Sequence, residues 1–99
     1  MILKISNASK KRCREKFPIK GIGKIINNAV LTLEKVDVEV VIAESIYDFD
    51  NKPLYNVILY LIRENCNDFK IINELNGFNY ESWRNNILKK NIWIWKKIK

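Results

Sequence analysis

The stretch that most constrains this chain is Leu54–Ile62, an apolar run held between two polar breaks. Ahead of it lies Asp48-Phe49-Asp50-Asn51-Lys52-Pro53, and behind it Asn65 to Asp68. Read as a strand, Tyr55, Val57, Leu59 and Leu61 share one face, and Leu54, Asn56, Ile58, Tyr60 and Ile62 share the other. A strand that is apolar on both faces is buried on both sides or closes a barrel. Pro53 donates no ladder hydrogen bond, so it fits only the start or edge of such a strand.

The neighbouring segments extend that reading. Met1–Ile5 alternates weakly and is expected to be a first strand, ended by Ser6-Asn7-Ala8-Ser9. Lys10–Phe17 is expected to be an exposed strand with Cys13 facing inward, or an ordered arm lying on a partner. Pro18 disfavours a helix just before it. Ile22, Ile25, Ile26, Ala29, Val30 and Leu33 recur at helical spacing, so Ile22–Leu33 is read as a helix with Lys24, Asn27 and Asn28 on its outer face. Val36-Asp37-Val38-Glu39-Val40 alternates strictly, the mark of a half-buried strand, and runs on to Ala43. Asn67 or Asp68 can cap a further helix whose packing stripe is Phe69, Ile71, Ile72 and Leu75 and whose stop is Gly77. Asn79 can cap a last helix, Tyr80–Lys90.

At 99 residues the chain is read as one domain, 1–99, in which 1–16 is either part of the body or a basic arm. An apolar content of 47% is enough for a folded core. No apolar run reaches the roughly 18–20 residues that a membrane span needs. The expectation is a protein without membrane attachment, in a reducing cytoplasm, with Cys13 and Cys66 as thiols. With no histidine and two cysteines, the usual four-ligand Cys/His zinc site is excluded.

The net charge of +7 is unevenly spread. Residues 1–24 hold eight Lys/Arg and one acid, Glu15. Residues 25–83 hold four basic and ten acidic residues, and 84–99 hold six basic residues and no acid. Two basic ends around an acidic middle suit a polyanion such as nucleic acid. The competing explanation is a solvated surface in a chain rich in Ile, Asn and Lys.

Some motifs resemble a known family. Asp48-x-x-Asn51-Lys52-Pro53-Leu54-Tyr55-Asn56-Val57 resembles the D-x-Y-G-R-x-L-A-Y-V turn and strand of staphylococcal nuclease-like domains. Lys70 to Phe78 is similar to their V-N-x-x-L-V-x-x-G-Y helix, and Leu88-Lys89-Lys90-Asn91-Ile92-Trp93 to their A-x-x-x-x-x-G-I-W close. The same half-pattern occurs in extended Tudor domains. The resemblance implies an α+β fold: a small OB-like, nuclease-like five-stranded barrel with an inserted helix and two C-terminal helices. It does not carry activity. The family's clustered acids, glutamate base and paired arginines have no counterparts, and Lys52 at one arginine position cannot form a bidentate phosphate clamp.

No other catalytic set is visible. Asp48 and Asp50 are better read as turn formers than as cation ligands. Gly21-x-Gly23-Lys24 lacks the other positions of a phosphate loop. The serines have no histidine to activate them. No cofactor is expected. The expected function is therefore non-enzymatic binding of structured, rRNA-like RNA within the ribosome or another ribonucleoprotein. The expected nucleic-acid contacts are Lys10, Lys11, Arg12, Arg14, Lys16, Lys20, Lys24, Lys89, Lys90, Trp95, Lys96, Lys97 and Lys99, with lysines on phosphates and Trp95 available for stacking. Two alternatives are a protein-interaction module and a divergent metal-dependent nuclease. The first would dock a protein partner on the acidic middle and exposed aromatics such as Tyr47, Phe49 and Tyr60. The second would use Asp48, Asp50 and Lys52.

Overall fold

In the computed structural model, which describes residues 1–43 and 51–76, the Leu54–Ile62 run is helical. It lies inside α4, Lys52–Asn65. Asn51 caps this helix, its side chain accepting from the Leu54 N–H at 3.0 Å, and Pro53 occupies the first turn, where a missing N–H costs nothing. Leu54, Tyr55, Val57, Ile58, Leu61 and Ile62 are buried, and Arg63 and Glu64 are exposed. That is one broad helical stripe. The run is apolar on both sides of a strand because the stripe of a well-buried helix is wide.

Four more helices complete the described residues: α1, Asn7–Lys16; α2, Ile22–Leu33; α3, Val38–Ala43; and α5, Phe69–Asn76. No strand is present among the described residues. The expected five-stranded α+β barrel is therefore wrong, and with it the resemblance to nuclease-like and extended Tudor domains. The Tyr80–Lys90 helix, the Gly77 stop, the first half of the Asp48–Pro53 turn (residues 48–50) and the Leu88–Trp93 motif lie outside the described residues.

Each overturned strand has a local cause. Ser6-Asn7-Ala8-Ser9 is a helix start, since the Ser6 hydroxyl accepts from the Ser9 N–H at 3.1 Å. Pro18 follows the Phe17 cap of α1, so it terminates a helix instead of forbidding one. Asp37 opens α3: its carboxylate accepts from Glu39 N–H at 2.9 Å and its carbonyl from Val41 N–H at 3.0 Å. Val38 and Val41 are then buried one turn apart, and Val40, inward in the strand reading, is exposed. Here a cap and tertiary packing outweigh the β-propensity of valine.

Two helices agree with expectation. In α2, Ile26, Ala29, Val30 and Leu33 are buried and Lys24, Asn27 and Asn28 are exposed. Gly21 at its start has φ +79°, a left-handed conformation that a side chain would strain. In α5, the Asp68 carboxylate accepts from Lys70 N–H at 3.0 Å, and Ile71 and Leu75 are buried. Phe69, expected in that packing stripe, is 77% exposed.

The core lies where α4 packs on α2 and α1. Residues 1–5 close one side of it as an extended strap. Leu3 N–H donates to Leu33 O at 3.2 Å, and Val38 N–H donates to Met1 O at 2.8 Å. Leu3 and Ile5 enter the core while Ile2 and Lys4 stay out. The alternation is real, but it belongs to a strap lying on helices.

Candidate nucleic-acid interface

Helix α1 carries most of the basic residues of the N-terminal third. Its inward face is short: Ser9 and Cys13, one turn apart, are both fully buried. The other positions are mostly polar. Lys10, Lys11 and Arg14 stand three and four residues apart, so they share one side of the helix. Lys11 and Arg14 are exposed and Lys10 is partly so. Arg14 and Lys16 lie in the last turn, where cations complement the helix dipole. Exposed Lys20 and Lys24 follow around the turn into α2, whose first turn has no acid and whose start has no side-chain cap. Among the described residues, none of Lys10, Lys11, Arg14, Lys16, Lys20 and Lys24 makes an ion pair.

Arg12 differs. Its Nε donates to Glu64 Oε1 at 2.6 Å, and the Tyr60 hydroxyl donates to the same oxygen at 3.0 Å. Hydrogen bonding to Arg12 holds the Glu64 carboxyl below its ordinary value, and the same bond raises the guanidinium. Tyr60 also meets Phe17 edge to face, with centroids 5.7 Å apart and planes at 87°. Tyr60, expected as an exposed docking aromatic, is instead half-buried in this group.

Among the described residues, four of the six acidic residues of the middle serve the protein's own structure. Asp37 caps α3 and pairs with the Met1 amino group. Glu34 accepts from Ile5 N–H at 3.3 Å, Glu64 holds Arg12, and Asp68 starts α5. Tyr47, Phe49, Asp48 and Asp50 lie outside the described residues, as do Lys89, Lys90, Trp95, Lys96, Lys97 and Lys99.

Two groups with nucleophilic potential are tied down. Burial pushes the Cys13 thiol up to about 11, with a smaller contribution from Glu64, so little thiolate is present at neutral pH. The Ser9 hydroxyl accepts from Asn65 Nδ2 at 2.8 Å inside the α1–α4 contact. Among the described residues no group of three or more His, Cys, Asp or Glu could hold a metal ion, and no helix is long and apolar enough to cross a membrane.

Sequence reasoning found the basic residues, missed Glu64 and gave Tyr60 another role, as an exposed docking aromatic. Their spacing of four residues points to a shared face only once α4 is read as a helix. In comparison with known proteins, no family, no curated protein and no solved structure matches this chain.

Proposed function

We propose that this chain is a small, non-enzymatic RNA-binding protein of a ribonucleoprotein, and that α1 with the turn into α2 is its RNA-facing surface. The observation that carries the reading is the set Lys10, Lys11 and Arg14 on one side of α1, continued by Lys16, Lys20 and Lys24, with no ion pair to any of them among the described residues. Unpaired cations exchange condensed counterions for phosphates when they meet a polyanion. Helical spacing suits contacts that follow a phosphate backbone, which position a protein without reading sequence. The burial of Cys13 and Ser9 supports a binding role over a nucleophilic one.

The test is the affinity of the purified full chain for a structured RNA, and for an unrelated acidic polymer, across a salt series. The expected result is tighter binding to the RNA, with log K falling linearly against log salt at a slope for several phosphates. Weak and equal binding to both polymers would mean that these lysines are only solvated, and would overturn the reading.

A further inference from the structure

We infer that Glu64 positions Arg12, beside Lys16 and on a different side of α1 from Lys10, Lys11 and Arg14, as a second phosphate contact, so that one phosphodiester of the bound RNA is gripped by the two terminal nitrogens of a single pre-oriented guanidinium. The inference rests on the RNA-binding reading above and adds a residue from the acidic middle to its site.

Glu64 takes the Nε–H of Arg12, and the Tyr60 hydroxyl also lies within hydrogen-bonding influence of the guanidinium. The Arg12 side chain remains 53% exposed. A guanidinium is planar and rigid, so fixing it at Nε sets the plane in which both Nη atoms lie. The Nη pair is an edge that can form the fork-shaped contact with phosphate.

The clamp is itself held. Glu64 accepts from the Tyr60 hydroxyl one turn earlier in α4, and the Tyr60 ring is set against Phe17 at the end of α1. Arg12 is thus fixed from both helices, whereas Lys10, Lys11 and Arg14 have no such tether among the described residues. Ordering a long side chain before the ligand arrives removes an entropic cost from binding. Lys16, four residues on, shares the Arg12 side of α1 and supplies a neighbouring point charge.

A purely coulombic surface and a positioned anchor predict opposite signs. If Glu64 only places a negative charge beside the basic patch, Glu64→Gln should tighten binding to a polyanion. If Glu64 orients Arg12, the same variant should bind more weakly although its net charge is more positive. The experiment compares wild type, Glu64→Gln, Arg12→Lys and the double variant, as full chains, against one structured RNA hairpin over a salt series, with thermal unfolding of each. We expect Glu64→Gln and Arg12→Lys each to lose affinity by about threefold to tenfold. We expect Glu64→Gln to cause no further loss in the Arg12→Lys background. Equal or tighter binding by folded Glu64→Gln overturns the inference and leaves the RNA reading standing. No salt-dependent binding by wild type overturns the RNA reading and the inference with it. Should Glu64→Gln fail to fold, Arg12→Lys decides: it keeps the charge but not the fork, so unchanged affinity overturns the anchor.

Discussion

Two neighbouring residues of α4, Glu64 and Asn65, fasten α1, and they do it by different physics. Asn65 works in the buried contact. Its Nδ2 donates to Ser9 Oγ and to Leu61 O, each at 2.8 Å, and its Oδ1 accepts from Ser6 N–H at 3.1 Å. Ser9 is fully buried, so no water replaces a missing partner, and removing that partner leaves a desolvated hydroxyl. Glu64 works at the surface. Its bond to Arg12 is short and charged, but both side chains meet solvent, which screens the attraction. The neutral junction therefore contributes stability, while the charged one mainly fixes the direction of a side chain. One helix is in this way anchored on its inner face and furnished on its outer face.

The largest way to break the comparison is to remove the floor beneath both ties. Leu61 is fully buried in α4, and Leu61→Ala should destabilise the fold by about 2–5 kcal/mol in denaturant unfolding, loosening both junctions together. Asn65→Ala should cost about 1–3 kcal/mol, with Ser9→Ala adding less than its own single effect, because the two share one hydrogen bond. RNA affinity of folded Asn65→Ala should stay near wild type. Glu64→Gln should show the reverse profile, a smaller stability loss than Asn65→Ala and a measurable drop in RNA affinity.

Acid should sharpen the contrast. Glu64 is held below its ordinary value of 4.5, mainly by hydrogen bonding to Arg12. A lowered carboxyl contributes stability that is present above the unfolded value and lost as pH falls through the folded one. The stability gap between wild type and Glu64→Gln should therefore close below about pH 4.5, while the gap to Asn65→Ala persists. The smallest expected signal comes from Cys13. With its thiol raised to about 11 and fully buried, alkylation near pH 8 should be slow in the native protein and fast in denaturant.

What the sequence reveals depends on how pure each periodic signal is. Helix α2 is readable because its apolar residues, the exposed Leu31 apart, form one stripe against Lys24, Asn27 and Asn28. Helix α4 is harder: Leu59 and Tyr60 extend its apolar run past the buried stripe, so both faces of an imagined strand look apolar. The decisive clue is Asn51 two residues before Pro53, a cap followed by a first-turn proline. Helix α1 hides because its inward face is only Ser9 and Cys13, two small residues among cations. In α3 a strict five-residue alternation is overruled by the Asp37 cap and by burial of Val38 and Val41. The basic residues of the candidate site are legible as composition, but their grouping follows from the helix. The Arg12–Glu64 contact joins residues 52 positions apart, and no local pattern encodes it.

The reading of this surface turns on whether α1 offers Lys10, Lys11 and Arg14 as one phosphate-facing side. The most direct measurement is the salt dependence of RNA binding by the triple variant Lys10→Gln, Lys11→Gln, Arg14→Gln beside wild type, with equal thermal unfolding of both as the control. A phosphate-facing side predicts weaker binding and a log–log salt slope shallower by about 2–3, one increment for each phosphate that is no longer neutralised. An unchanged slope and affinity in the folded triple variant would contradict it.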